Sequence, residues 1–368
     1  MYQHNNVRFI MIVISSLFAL SMLIACGTPT PEPTPKPLAE ELIFYDWEED
    51  MPLSVLDKFT EEYGVKVTYK TYEDQELAVE GIRNKENYDV VVLENINVSR
   101  LMSDELLAEL NHQNVTNIKN IALNFRELAY DPGNKYSVPY GWGATGLVVR
   151  NDLVTEPIVS WESLWDPQYA GKVGIWEYEQ REVMAMALKT LGHSVNTKNP
   201  DELTAAKEKL LALKPNVVDI EQIFTDDSDE IASAPLLLDG QLVIAHGWAD
   251  DVLQARAESE DVIFVIPEEG PFLWGDNFVI PANSPNKETA ELFLNFLLRP
   301  EIAAEIVNEN YFATANEASF ELIDPEIYND PLVFPANEQI QNGEVVVPLD
   351  DETQALYDEI WQAFLDAE

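Results

Sequence analysis

Residues 41–93 read ELIFYDWEEDMPLSVLDKFTEEYGVKVTYKTYEDQELAVEGIRNKENYDVVVL, and their periodicities decide the fold class. ELIFYDW (41–47) is a mostly apolar run of strand length. LSVLDKFTEEY (53–63) sets Leu53, Leu56, Phe59 and Tyr63 at helical spacing. In GVKVTYKTY (64–72), Val65, Val67 and Tyr69 alternate with Lys66, Thr68 and Lys70, the period-two pattern of a half-buried strand. QELAVEGIRNK (75–85) is a second short helix and YDVVVL (88–93) a third strand. Strand, helix, strand, helix, strand is the signature of an α/β protein with a mainly parallel sheet.

The same alternation continues downstream. KVGIWEY (172–178), QLVIAHGW (241–248) and DVIFVIP (261–267) read as strands. REVMAMALKTLG (181–192), KETAELFLNFLLRP (287–300) and ETQALYDEIWQAFLDAE (352–368) read as helices. No internal repeat is evident, and 368 residues suffice for two domains with cores of their own. Open parallel sheets bind ligands beyond the carboxyl ends of their strands. Trp47 and Glu49 follow the first strand, Glu94 and Asn95 the third, Glu177 and Glu179 follow KVGIW, and Trp248 follows QLVIAHG. An acidic chain puts Glu in loops everywhere, but a Trp at a loop start more often has something to stack on. YDWEED (45–50) sets a Trp among four carboxylates, and both are partners for an organic cation. Asp46 and Glu48 are expected to face away from Trp47 and Glu49, because neighbours on an extended chain point to opposite sides.

Acidic residues number 66 and basic ones 22, for a formal net charge of -44. Nucleic acid is excluded as a partner, since phosphate binding needs clustered Lys and Arg. A cationic ligand would be drawn in by such a field, although an acidic surface alone is the commoner cause of such a charge. GWGATG (141–146) matches G-x-G-x-x-G, but a strand-like LVVRND follows it where a dinucleotide fingerprint needs a helix. It reads instead as a closely packed crossing strand. The four His residues show no metal spacing, the acidic loops DPGNKY (131–136) and DDSDE (226–230) do not follow the calcium-loop pattern, and no cofactor is expected. In EYEQRE (177–182), Glu179 and Glu182 fall at a helix start. They read equally as a capping box or as ligand carboxylates.

The N-terminus carries the apolar run FIMIVISSLFALSMLIA after Arg8 and stops at LIAC (23–26). This describes an export signal rather than a spanning helix, which needs roughly 20 apolar residues. LIACG resembles a bacterial lipobox, which implies cleavage after residue 25 and lipid attachment to Cys26, the only cysteine. GTPTPEPTPKPL then reads as an extended Pro-rich tether, so that 1–25 is the signal and 26–38 the tether.

YDWEEDMP (45–52), YSVPYGWGATGLVV (136–149), SWESLWDPQYAGKV (160–173), REVMAMALKTLG, WGDNFVIPAN (274–283) and PNKETAELFLNFLLRP (285–300) together resemble the periplasmic spermidine/putrescine-binding proteins of polyamine ABC transporters. The resemblance runs from about residue 41 to the C-terminus. It implies a two-lobed periplasmic-binding-protein fold of type II, each lobe a mixed sheet flanked by helices, with the ligand cleft between the lobes. Lobe one would take 39–143 and 278–343, and lobe two 144–277 and 344–368. It implies ligand contacts at Trp47, Glu49, Glu179, Glu182, Trp248, Trp274, Asp276 and Phe312, no catalysis, and ABC permease and ATPase subunits as partners of a monomeric receptor held outside the cytoplasm by its lipid. The chain departs from the family at Asp50 and Ile96, where an aromatic Tyr is usual, at Glu94 in place of Ser, and at Val346 in place of Gln. The cleft thus gains acid, which points to spermidine or spermine over putrescine. A same-fold receptor for a sugar, and an exported glycosidase using Glu179 and Glu182, are the rival readings.

Overall fold

The computed structural model describes residues 37–48, 50–176, 179–219 and 233–367. The signal, Cys26 and all but the last two residues of the tether lie outside them, as do Glu49, Glu177 and the acidic loop 226–230. From Leu38 onward the chain forms one compact unit.

The opening segment folds as its periodicities require. Strand β1 (Glu41–Trp47) leads through α1 (Leu53–Tyr63) to β2 (Lys66–Tyr72), then through α2 (Gln75–Arg83) to β3 (Val90–Glu94) and α3 (Asn95–Ser103). α1 buries Val55, Leu56 and Phe59, while Leu53 stays exposed. Asp74 caps α2 by accepting the Glu76 N–H at 2.8 Å. β1 lies parallel between β2 and β3, as βαβ crossovers demand.

The 14-residue β4 (Ser137–Arg150) contains GWGATG and joins the two halves of the sheet. After it come β5 (Val173–Ile175), α4 (Gln180–Thr190), α5 (Pro200–Leu213), β6 (Val217–Asp219), α6 (Ser233–Leu238), β7 (Ile244–Gly247), α7 (Ala249–Ala255), β8 (Val262–Val265) and β9 (Phe272–Val279). The chain closes with α8 (Lys287–Leu297), α9 (Pro300–Asn310), β10 (Ala313–Thr314), β11 (Glu344–Val345) and α10 (Asp351–Leu365). The strand order is β2-β1-β3-β9-β4-β7-β5-β6, with β10 and β8 also on β4 and β11 on β9. β9 runs antiparallel to both β3 and β4.

Two lobes share this sheet. One has cores on both of its faces, built on Leu42, Phe44, Phe59, Phe278 and Phe293 on one side and Tyr45, Val79, Val91 and Leu101 on the other. The second is built on Leu147, Trp161, Met184, Phe272 and Tyr357, and on Val148, Leu237 and Val252. β4 feeds both: Val138 and Tyr140 belong to the first core and Leu147 and Val149 to the second. Its glycines allow close passage. A Cβ at Gly143 would stand 2.2 Å from Cζ2 of Trp274, so this indole lies directly on the Gly143 backbone. A second close crossing is at Gly270, with φ +100, whose Cβ would meet the Asn342 carbonyl oxygen at 2.1 Å. GWGATG is therefore a packing strand, as its sequence context indicates.

Candidate functional site

The site begins with an arrangement that a sheet avoids. Glu94, the last residue of β3, is registered directly opposite Asp276 on β9. Like charges in that position repel and destabilise the pair. The other residues of β3 are apolar and buried, and β9 is buried from Asp276 to Val279, so the sheet itself fixes the two acids side by side. Asp276 is 8% exposed and accepts a 3.3 Å hydrogen bond from Nε1 of Trp47, the last residue of β1. Trp47 is set by its ring contact with Tyr72, centroid to centroid 4.8 Å.

Asp50 joins them from the β1–α1 connection. Its carbonyl accepts from Tyr140 Oη at 2.8 Å and from the Asn310 side chain. Tyr69 Oη donates to the Trp47 carbonyl at 3.0 Å and accepts the Met51 N–H at 3.2 Å. The connection is thus pinned from three elements rather than left as a loose acidic loop. Glu48 is exposed, as expected. Asp46 is not turned into water: it has no exposed surface.

The electrostatics follow from this crowding. Burial pushes the Asp50 carboxyl up to about 8, reinforced by the charges of Asp276 and Asp250. Burial pushes Glu94 up to about 8 as well, reinforced by Asp276 and Glu182. Asp276 rises to about 7 through burial, opposed by the Trp47 hydrogen bond. Asp46 is raised by burial and then by Asp50 and Asp276. Asp50 and Glu94 are only half-buried by surface area. Side chains that keep solvent access while walled in by protein line a concavity, and there the charged form loses solvation. The charges acting on them are other carboxylates. Such a set is stabilised by an incoming cation.

From lobe two the charge of Glu182 acts on Glu94, and Glu179 stands at the N-cap position of α4, three residues before it. Glu182, 9% exposed, accepts from Thr145 Oγ1 at 3.0 Å and lies 3.0 Å from Nε2 of the fully buried His246. It does not reach back to the start of α4, and the Glu179 side chain does not cap that helix. The capping-box reading therefore fails for this pair. His246 and Thr145 escaped the sequence reading, because a lone His without metal spacing resembles an ordinary core residue.

Trp248 occupies the N-cap position of α7 without a side-chain cap bond, its ring centroid 6.0 Å from that of Trp176 and 5.9 Å from that of His246. Its N–H donates to Asp251 Oδ2 at 3.2 Å. Trp274 stands within β9, on Gly143. Phe312 follows α9, edge-on to Tyr140 at 5.2 Å and against Gly141. Asn95 Nδ2 donates to the Val346 carbonyl at 3.0 Å, bringing the β11 segment to lobe one. Trp47, Asp50, Glu94, Asp276 and Glu182 thus act on one another, with Asp250 and Asp46 added by the structure. Among the described residues, no group of three His, Cys, Asp or Glu has metal-ligand geometry, and no helix is long and apolar enough to cross a membrane.

Residues 54–336 match the family described as bacterial extracellular solute-binding protein. The spermidine/putrescine-binding periplasmic protein of Escherichia coli K12 is 36% identical over 306 residues, 82% of this chain and 85% of that one. Two solved structures align closely. One is the spermidine/putrescine ABC transporter substrate-binding protein PotD of Streptococcus pneumoniae, in complex with calcium and HEPES (TM-score 0.78, 28% identity, 89% of this chain and 99% of that one). The other is the Tp0655 (TpPotD) lipoprotein of Treponema pallidum (TM-score 0.76, 28% identity, 88% and 99%). The chain belongs to the bacterial extracellular solute-binding protein family, among its spermidine/putrescine-binding periplasmic members, and is a binding protein rather than an enzyme.

Proposed function

We propose that this protein captures polyamines outside the cytoplasm and delivers them, as a monomer, to the permease and ATPase subunits of an ABC importer, holding spermidine and spermine more tightly than putrescine. The observation that carries this is the Glu94–Asp276 pair, opposed in register, with Trp47 bonded to the same Asp276. A polyamine alternates ammonium groups with short alkyl spacers. Carboxylates accept from the first, and Trp47, Trp248, Trp274 and Phe312 cover the second. Glu49, Glu179 and Glu182 complete the acidic set in this reading.

The magnitudes are adequate. Charge-assisted hydrogen bonds contribute about 1.5–3 kcal/mol each. Desolvated cation–π contacts add about 2 kcal/mol. Two or three of each, less the association cost, leave roughly the -8 kcal/mol of a micromolar complex. The names of the E. coli and S. pneumoniae relatives support the ligand class. The lobe boundaries we propose are 39–143 with 278–343 and 144–277 with 344–368, in keeping with which residues share each core. LIAC supports a lipid on Cys26. A thermal-shift screen of polyamines against sugars and amino acids tests the ligand class. Stabilisation by a sugar and by no amine would overturn it.

A further inference from the structure

His246 is a buried ring with one nitrogen engaged and the other idle. It has no exposed surface. Nε2 lies 3.0 Å from Glu182 Oε2, and Nδ1 meets no hydrogen-bond partner among the described residues. A hydrogen on Nδ1 would bury an unpaired donor, and with Nε2 bare it would also turn a lone pair onto a carboxylate oxygen. A hydrogen on Nε2 alone removes both conflicts. Contact with the Trp248 ring, centroid to centroid 5.9 Å, sets the orientation of the imidazole.

The other carboxylate oxygen of Glu182, Oε1, accepts from Oγ1 of the fully buried Thr145 at 3.0 Å. Each oxygen thus holds one donor. That fixes the rotation of the carboxylate and leaves lone pairs on both oxygens for a further donor. A Thr hydroxyl and an imidazole with a bare Nδ1 are neutral, so they order the acid without cancelling its charge, as a Lys or Arg would. The backbone beneath is fixed as well, since Glu182 opens an unbroken run of buried α4 residues that ends at Lys189.

The sheet places this clamp beside the acids of lobe one. Gly143 stands opposite Trp274 in register, Thr145 lies two residues further along β4, and His246 stands opposite Leu147, two further again. Residues that are directly opposed, or two apart on one strand, share a face of the sheet. Asp276 is two residues beyond Trp274 on β9 and opposite Glu94, so both fall on that face. Glu182 is therefore held over the side of the sheet that carries Trp274, Asp276 and Glu94.

We infer that His246 is a positioning residue for ligand binding: its Nε2–H, with the Thr145 hydroxyl, holds the Glu182 carboxylate ordered toward the cleft before an ammonium arrives. The inference rests on the polyamine reading above and assigns this part of its affinity to a side chain that does not touch the ligand. Ordering a group in advance removes a cost that binding would otherwise carry.

Spermidine calorimetry on the whole protein and three variants tests it. His246→Leu keeps the bulk and removes the donor, and affinity should fall at least about tenfold. His246→Gln sets an amide N–H near the place of Nε2 and should stay within about threefold of wild type, whereas His246→Asn sets it near Nδ1 and should resemble His246→Leu. On a Glu182→Gln background, His246→Leu should cost less than about twofold more. Equal affinity in wild type and His246→Leu would overturn the inference. So would a folded His246→Gln as weak as His246→Leu, since packing rather than donation would then be at work. Melting temperatures check folding. Nitrogen NMR of histidine-labelled protein, with His246→Gln to identify the signals, reads the ring without any ligand. A hydrogen on Nε2 alone is expected, and one on Nδ1 would overturn the assignment even if no His246 variant folds. If wild type binds no amine while Nε2 alone carries the hydrogen, the clamp on Glu182 stands and the polyamine reading falls.

Discussion

Binding of spermidine should expel protons. In the free protein, burial and mutual repulsion hold Asp50 and Glu94 at about 8 and Asp276 at about 7. At pH 7, groups titrating at 8 are about nine-tenths protonated and one at 7 is about half protonated, so ionising all three on contact with ammonium releases about two protons. Because the three interact, the protons leave in steps that belong to the set, and the total is the quantity to measure. The dependence of log K on pH equals that number, which rises toward three as pH falls, so affinity should fall by on the order of several hundredfold from pH 7 to pH 6. The sign for stability is opposite. These acids titrate higher in the folded state than in the unfolded one, so the free protein binds extra protons between about pH 4 and pH 8 and loses stability as pH rises through that window. The gain in Tm on adding spermidine should therefore grow from pH 5.5 to pH 7.5. Calorimetry at pH 7 in phosphate and in Tris, which differ in ionisation enthalpy, counts the protons directly. Tight binding with the same heat in both buffers would refute the reasoning, and would mean that the cleft acids are already ionised or do not meet the ligand.

Gly143→Ala should lower stability by about 1–3 kcal/mol, the usual cost of overpacking, and weaken spermidine binding by displacing Trp274; chemical denaturation and titration check both. Glu94→Ser relieves a directly opposed acid pair, so the free protein should gain about 0.2–1 kcal/mol while spermidine affinity drops, and a drop in both would put Glu94 in a structural role. Cys26→Ser should release the protein from the membrane fraction, whereas a folded variant that stays there would point to another anchor.

The α/β class was legible because the 41–93 segment changes period cleanly, from two in β2 to helical in α1, and each change became an element boundary within a few residues. β9 was harder to read as a strand, since LWGDNFVIPAN mixes a Gly and two polar residues into its run; these prove to be the site residues and their neighbours. That Trp47 and Glu94 close strands was legible from the apolar runs before them. Asp46 was not, because an Asp one residue before a surface loop carries no sign that it is fully buried. Asp250 gave no sign either: HGWADD offers two adjacent acids, and only the fold separates Asp251, which accepts from Ser233 and the Trp248 N–H, from the exposed Asp250. His246 gave no signal because its partner, Glu182, lies 64 residues away in sequence.

The central claim is that carboxylates gathered around Asp276 hold an ammonium. Spermidine calorimetry on wild type and on Asp276→Asn tests it most directly, because Asn keeps the shape and can still accept from Trp47 while the charge is gone. One spermidine should bind wild type with micromolar affinity or better, and the variant should lose at least about tenfold with no fall in melting temperature. Equal affinity in the two proteins would contradict the claim.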